Sequence, residues 1–324
     1  HNRVRSYLIY PSLPCNNSKI NEISRPMSES LEEIRKQIDN IDNQVHDLLM
    51  QRASLVSSVA LAKKESGLQI VQPAREARMM RRLLARHKGP LPKKTIIRIW
   101  RELVGSVSLL QTGLSVVIAD ESDGYAHWDM AKNYFGSAVP MQVVKGQQAV
   151  ISQVLEEKSS FAVLPWPELD QEMPWWSHLF NRQNNDQRPL SIIGALPYEK
   201  TGQDDPSSIF DKALIISKME FMPSDIDNSF IGLELSADIS RARIRNKAEG
   251  AGLEVINLFS GILSHNTGVK VHLVQVKGFV DDKSSAVEGL RSSFDEECYY
   301  CHAMGGYPVI PDINENASVQ DDAA

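Results

Sequence analysis

The feature that most constrains this chain of 324 residues is one long stretch with helical periodicity, residues 28–65. Apolar residues recur there at alternating steps of three and four, which is typical of a helix that packs against other helices: Leu31, Ile34, Ile38, Ile41, Val45 and Leu48. We call these six residues the apolar stripe. It continues through Leu55 and Val59 but takes in two cations, Arg52 and Lys63. Because burial of an unpaired cation is costly, the pattern predicts an anionic partner for both side chains.

The spacing of the cations indicates how they are used. Arg52 and Lys63 are separated by about 1100° of helix, about 20° beyond three turns, so they share one face and can reach one ligand together. Arg35 lies about 25 Å before Arg52 along the axis, which is too far for the same pocket within one chain. In an antiparallel dimer Arg35 would enter the pocket of the partner.

Two shorter helices are predicted after the first one. Gly67 ends the first helix, Pro73 opens a second that runs to about His87, and Pro92 opens a third that runs to Gln111. The first helix would be about 57 Å long at its normal rise, and two shorter helices cannot cover it. A second copy of the chain could, so the pattern predicts an interlocked homodimer.

Composition excludes several classes of protein. With 42% hydrophobic and 23% charged residues, no apolar run near the ~20 residues of a membrane span and only three cysteines, the chain is typical of a cytoplasmic protein without membrane association. Residues 28–112 carry 15 Lys and Arg against 9 Asp and Glu (net +6), and residues 113–324 carry 16 against 31 (net −15). The net positive charge of residues 28–112 suits the binding of an anionic ligand. Alternatively, these charged side chains lie on helix faces that are exposed to solvent. No nucleic-acid recognition motif accompanies them.

Beyond Gly113 the pattern changes to strands that alternate with helices. This order predicts a parallel α/β lobe, with strands at 114–119, 141–144, 161–164 and 190–195 and helices around 128–134 and 149–155. From Lys212 the order strand, helix, strand, strand, helix, strand predicts a ferredoxin-like βαββαβ domain, with elements at 213–217, 237–251, 253–259, 269–276, 286–294 and 298–304.

The predicted fold is therefore multidomain. An all-α three-helix module is followed by an α/β lobe and a ferredoxin-like domain. The predicted segments are a disordered leader that is not native (1–26, before Met27), the helical module (27–112), the lobe (113–206), the ferredoxin-like domain (207–312) and a disordered acidic tail (313–324).

The helical module combines this framework with a particular set of polar residues, in the segment 31–42 and at Arg52, Lys63, Arg75, Glu76 and Gln111. The residue types, spacing and helix breaks of residues 28–111 resemble the all-helical chorismate mutase family. The resemblance implies that Arg52, and Arg35 from the partner subunit, hold the two carboxylates of chorismate. Lys63 and Gln111 would hydrogen-bond the ether oxygen, so that Arg52, Lys63 and Gln111 are the catalytic residues.

The resemblance also assigns the remaining positions of the site. Glu76 would bind the ring hydroxyl together with Lys63, Arg75 would support the site, and Gln72 and Val107 would line it. Val107 departs from the pattern, because the family often has a serine there. The conversion of chorismate to prephenate is pericyclic, so fixed donors suffice and neither metal nor cofactor is expected.

The rest of the chain resembles a prephenate dehydratase with a regulatory ACT domain, through residues 120–127, the strand ending at Pro165, residues 272–280 and residues 305–308. Residues 114–206 have room for about one of that enzyme's two lobes, and the Thr-Arg-Phe catalytic motif is absent from the sequence. We therefore expect that dehydration is lost. The region would be a structural or ligand-sensing remnant, with an aromatic amino acid as candidate effector.

Alternatives remain open at this point. The chain could be a non-catalytic dimeric regulator that binds an aromatic amino acid or a protein partner, or a bifunctional mutase and dehydratase, which the missing motif disfavours. Cys298, Cys301 and His302 suggest a metal site, although a lone pair of cysteines is more often a reduced thiol pair. Three tryptophans could stack a ligand or pack in the core: Trp166, Trp175 and Trp176.

Overall fold

A computed structural model describes residues 30–66, 69, 71–120, 126–180, 189–198, 212–263 and 268–310. The predicted leader, the start at Met27 and the predicted tail lie outside the described residues. So do the side chains of residues 57–66, which include Lys63. The chain divides into two compact units, residues 1–54 and 55–324, and each is considered by itself.

The three predicted helices of the first module are confirmed: α1 (Leu31–Ser66), α2 (Pro73–Arg86) and α3 (Lys93–Thr112). The start of α1 is a capping box, because the Ser30 N–H donates to Glu33 Oε2 at 2.8 Å and the Glu33 N–H donates to Ser30 Oγ at 3.3 Å. Gly113 ends α3 in the left-handed region, at a φ of 63° that favours glycine, and its N–H donates to the Leu109 carbonyl.

The apolar stripe on α1 is exposed in the single chain. Its six side chains, from Leu31 to Leu48, are between 41% and 64% exposed. A contiguous apolar strip of this length is unusual on a surface left in contact with water.

The remainder of the described chain forms one mixed ten-stranded sheet with helices packed on it. Its strands are β1 (Val116–Asp120), β2 (Met141–Lys145), β3 (Phe161–Pro165), β4 (Asp170–Glu172), β5 (Ser191–Leu196), β6 (Ala213–Ser217), β7 (Asp227–Ser236), β8 (Val255–Ile262), β9 (Val269–Lys277) and β10 (Cys298–Pro308). The helices are α4 (Ala126–Phe135), α5 (Gln147–Leu155), α6 (Arg241–Gly250) and α7 (Ser285–Ser292). The strand order is β2-β1-β3-β6-β5-β10-β7-β9-β8-β4.

The lobe matches the prediction only in part. β1 pairs in parallel with β2 and β3, as expected, but β6 lies between β3 and β5 and is antiparallel to both. The prediction that residues 213–217 open the ferredoxin-like domain is therefore wrong, and so is the predicted division between residues 206 and 207. All five residues of β6 are buried, which is typical of a central strand covered on both faces. Such an apolar run does not reveal which domain the strand joins.

The ferredoxin-like βαββαβ arrangement is confirmed, but its first strand is β7 rather than the predicted strand at residues 213–217. β7, α6, β8, β9, α7 and β10 follow one another, and the strands lie in the order β10-β7-β9-β8 with antiparallel pairing throughout. Sequence reasoning missed β7, because its first residues, Asp227, Asn228 and Ser229, are polar and resemble a turn. In the structure the strand buries Ile231 and Leu233 in the core.

Strand β10 joins the two parts of the sheet. Gly305 pairs in parallel with Ile192 of β5, while the rest of β10 pairs with β7. Gly305 has a φ of 92°, and a Cβ atom at this position would lie 2.1 Å from the Ile192 carbonyl oxygen. Only glycine allows this close approach.

The helical module packs closely against the lobe through α3 and α4. A Cβ atom on Gly105 of α3 would lie 1.7 Å from the carbonyl oxygen of Phe135, at the end of α4. Gly136 follows the end of α4, and Ser137 comes next. The backbone N–H of Ser137 donates to both carboxylate oxygens of Glu102 on α3, at 3.0 and 2.9 Å. The two helices therefore meet backbone to backbone.

We predict that Gly105→Ala destabilises the protein, because neither the added methyl group nor the Phe135 carbonyl can move freely. The expected loss of unfolding free energy is at least about 1–3 kcal/mol. The matched control is Gly289→Ala on α7, where a Cβ atom would lie 3.8 Å from its nearest neighbour, the Cβ of Ala251. That variant should be neutral or more stable. Urea midpoints of the full-length proteins measure both effects, and equal midpoints would contradict the close α3–α4 packing.

A buried histidine makes the ferredoxin-like domain sensitive to acid. His272 on β9 is 1% exposed, and its Nδ1 lies 3.0 Å from Ser260 Oγ. Burial, together with the nearby positive charges of Lys270 and Arg241, lowers the pKa of His272 from 6.5 to about 4 against the opposing effect of Asp170. The folded protein therefore holds this ring neutral.

We predict that His272→Gln flattens the pH dependence of stability. Because the pKa is lower in the folded state, the contribution of the neutral ring is complete above pH 6.5 and is lost as the pH falls toward 4, by up to about 3 kcal/mol. Urea unfolding of wild type and variant at several pH values between 7 and 4 measures the difference. If the unfolding free energies of the two proteins fell in parallel with pH, the prediction would be wrong.

Candidate active site

Helix α1 carries three of the predicted site residues. Arg35 is exposed and Arg52 is half-buried, and both belong to the first unit. Helix α1 also includes Lys63, which belongs to the second unit and whose side chain lies outside the described residues.

Gln111 turns its side chain toward α1. Its Nε2 donates to the carbonyl oxygen of Val56 at 2.9 Å. Val56 lies between Arg52 and Lys63 in the sequence and within about 40° of both around the helix axis. Val107, one turn before Gln111, is half-buried. The end of α3 therefore contacts the backbone of α1 at Val56.

Glu76, in the first turn of α2, is bound to a residue that the sequence prediction did not include. Its Oε2 atom lies 2.8 Å from Nη1 of Arg101, and the side chains of Arg101 and Glu76 are 4% and 13% exposed. The Nε of Arg101 donates to the carbonyl oxygen of Tyr134 on α4 at 2.5 Å. Its guanidinium carbon lies 3.9 Å from the ring centroid of Tyr134 and 5.1 Å from that of Tyr198.

The surroundings of Arg101 keep it charged. Burial lowers its pKa, but Tyr134, Glu76 and Tyr198 together raise it more, so the pKa lies above its ordinary value. Burial also raises the pKa of Tyr134, to about 12, against the opposing effect of Arg101. Near neutral pH the cluster is thus a cation paired with one carboxylate and flanked by two neutral rings, an arrangement that offsets the cost of burying the charge.

One face of α3 is more deeply buried than the others in the described chain. Ile96, Trp100, Leu103 and Val107 are all half-buried. The fully buried face is formed instead by Ile97, Arg101, Gly105 and Ser108. Small residues at steps of three and four beside an arginine were the available signal, because they allow a neighbouring helix to approach closely.

Arg75 and Gln72 face a different space from Glu76. Both line a cavity of about 780 Å³ that also contacts Ile193 of β5 and Phe221. Among the described side chains of the second unit, Gln72 and Arg75 line this cavity, whereas Glu76 does not. Arg101, the partner of Glu76, lies ten residues before Gln111 on the same helix, which is about 15 Å along the axis.

Two candidates from the sequence find other roles in the described part of the chain. Trp175 and Trp176 are 1% and 0% exposed and belong to the core, and the half-buried Trp166 packs against it. Cys298 and Cys301 are free thiols, and no group of three or more His, Cys, Asp and Glu side chains suits a metal ion among the described residues.

None of the described helices has the length and apolar character that a bilayer span requires.

Comparison with known proteins places the helical module in a family. Residues 34–112 match the family model described as chorismate mutase type II. The bifunctional chorismate mutase/prephenate dehydratase of Aquifex aeolicus (strain VF5) is 26% identical over 141 residues, which cover 42% of this chain and 39% of that protein. The chorismate mutase of Methanocaldococcus jannaschii is 48% identical over 50 residues, which cover 15% of this chain and 50% of that protein.

The chain thus spans about two fifths of the length of the bifunctional relative. Among solved structures, the prephenate dehydratase from Streptococcus mutans has a TM-score of 0.41 and 13% identity, and the match covers 61% of this chain and 98% of that one. The confirmed part of the assignment is the helical module. Residues 34–112 of the chain form a chorismate mutase type II domain, and a mixed α/β region follows it.

Proposed function

We propose that the chain is a chorismate mutase that converts chorismate to prephenate. The observation that carries the proposal is the match of residues 34–112 to the mutase family. A helix that served only for dimerisation would favour leucine at position 52, where this chain has arginine. The polar set in and beside the matched domain is intact in the sequence: Arg35, Arg52, Lys63, Arg75, Glu76 and Gln111.

The proposed mechanism relies on fixed charges and donors. Arg52, with Arg35 of the partner subunit, holds the carboxylates of chorismate and folds the enolpyruvyl arm over the ring. Lys63 and Gln111 donate to the ether oxygen, on which negative charge grows as the bond breaks. Donors that are already in place stabilise this charge without the cost of reorganising solvent.

We further propose that two chains form an interlocked dimer through the apolar stripe. The exposure of the stripe supports this proposal, because six large apolar side chains on one helix face are unfavourable in water. In the dimer, α1 of each subunit would cover the stripe of the other, and Arg35 would reach the partner's site. The active site would then exist only in the dimer.

The central experiment is an assay of the purified full-length protein for loss of chorismate and formation of prephenate, run beside Arg52→Ala. Turnover that Arg52→Ala abolishes supports the proposal. No turnover by a folded dimer would favour a non-catalytic regulator. Adding phenylalanine or tyrosine to the same assay tests the candidate effector of the C-terminal region.

We predict that Lys63→Ala lowers kcat by about 10²–10³-fold, as the loss of one oxyanion donor does in other enzymes. Lys64→Ala, the neighbouring lysine about 100° around the helix, is the matched control and should retain wild-type kcat. Steady-state kinetics with chorismate give both values. A loss of less than about threefold for Lys63→Ala would remove that residue from the mechanism.

We predict that Ile41→Asp, in the middle of the stripe, dissociates the dimer, because a carboxylate cannot be buried there without a partner. Light scattering should show half the wild-type mass, and activity should fall in parallel, since Arg35 acts from the other subunit. Leu110→Asp is the control, because Leu110 is 86% exposed on α3 and lies outside the stripe. An unchanged mass for Ile41→Asp would contradict the proposed interface.

A second candidate function is the bifunctional one. The alignment with the Aquifex aeolicus protein extends over 141 residues, more than the mutase domain of residues 34–112 contains. Against it, the sequence lacks the Thr-Arg-Phe motif. Supplying prephenate directly and measuring phenylpyruvate tests this candidate independently of the mutase step. We expect no product.

A further inference from the structure

Arg101 connects a predicted substrate residue with the α/β lobe. Three different groups hold its guanidinium: the carboxylate of Glu76 on α2, the main-chain carbonyl of Tyr134 on α4, and the ring faces of Tyr134 and Tyr198. Two of these three groups come from the lobe. All of the contacts lie within the second compact unit of the chain.

We propose that Arg101 is a positioning residue of the mutase site, which holds the Glu76 carboxylate in place and ties it to the lobe. The proposal rests on the proposed function, in which Glu76 binds the ring hydroxyl of chorismate. It makes the lobe a structural part of the mutase site, and it goes beyond the residues that the family resemblance assigns.

The pair leaves Glu76 little freedom. Arg101 is buried, so a movement of Glu76 away from it would leave a buried cation without its carboxylate, which is strongly unfavourable. The contact uses Oε2 of Glu76, and no described residue bonds to Oε1, the oxygen that could accept from a substrate hydroxyl. A carboxylate fixed in this way binds a hydroxyl without first losing rotamer entropy.

The position of Arg101 is in turn fixed by the lobe. Its Nε bonds to a main-chain carbonyl of α4, which cannot turn away as a side chain could. One turn along α3, Gly105 lies directly against the Phe135 carbonyl, so the two helices have no space to slide. The lobe therefore sets the place of Arg101, and Arg101 sets the place of Glu76.

The competing explanation is a pair that only stabilises the junction. In that case the loss of Arg101 would lower the melting temperature but leave the kinetics of the folded molecules unchanged. A positioning role instead predicts a change in KM, because a hydroxyl contact that exists in both ground state and transition state contributes to binding rather than to kcat.

The experiment compares full-length wild type with Arg101→Met, Arg101→Lys, Glu76→Gln and the double variant Arg101→Met/Glu76→Gln, all shown to be folded at the assay temperature by circular dichroism. We expect Arg101→Met to raise KM for chorismate about 10-fold or more, the scale of one charge-assisted hydrogen bond, with kcat within about threefold. Arg101→Lys keeps the charge and should recover part of the loss. The double variant should be no worse than Glu76→Gln alone.

Arg98→Met is the matched control. Arg98 lies on the same helix and also bonds to α4, through Asn133 Oδ1 at 3.1 Å, but it has no described contact with Glu76. Its KM should equal that of wild type. Should Arg101→Met fail to fold, Arg101→Lys and the double variant, which removes both charges together, still decide the question.

The outcomes separate the two proposals. Wild-type KM in folded Arg101 variants, or a double variant whose loss is the product of the two single losses, would overturn the positioning role and leave the mutase activity standing. A wild-type protein without turnover would overturn the proposed function, and the role of Arg101 would fall with it.

Discussion

The junction between the helical module and the lobe depends on one buried cation. Arg101 lies where α2, α3 and α4 meet, and it is tolerated there only because a carboxylate, a main-chain carbonyl and two aromatic rings surround it. Removing the Glu76 carboxylate would leave the Arg101 cation without an ionic partner in a region that excludes water. The close contact at Gly105 follows from the same requirement, since the guanidinium reaches Tyr134 only if α3 and α4 touch. Helices α2 and α3 are therefore packed directly on the lobe.

The two faces of the helical module serve different partners. On α1 the apolar stripe is uncovered, and this is the face for which we propose a second chain. The buried face of α3 carries Ile97, which packs with α2, Arg101, which bonds to α2 and α4, and Gly105, which lies against the end of α4.

The helices were predictable because proline and glycine mark their ends in the sequence, at Pro73, Pro92 and Gly113, and because a period of 3.6 is clear over 20 to 36 residues. The positions of most strands were predicted correctly, but the strands with which they pair were not. An apolar run such as 213–217 indicates a buried strand but not its neighbours, and β7 begins with residues that favour turns. The prediction omitted Arg101, because an arginine beside glycine and serine on a helix looks solvent-facing until the helix that packs there is known. Pairing partners across 25 residues or more are not encoded in local periodicity.

The strand that unites the sheet is also the last of the described strands. β10 lies between β5 and β7, so both edges that it covers are made long before it. Until residues 298–308 leave the ribosome, β5 and β7 each present an open row of backbone donors and acceptors, and an open edge can pair with a neighbouring polypeptide. The close approach at Gly305 means that no other residue could close the gap as well. Synthesis of this protein therefore includes an interval in which both halves of the sheet exist without the strand that seals them, which makes the final strand the step most exposed to competition from aggregation.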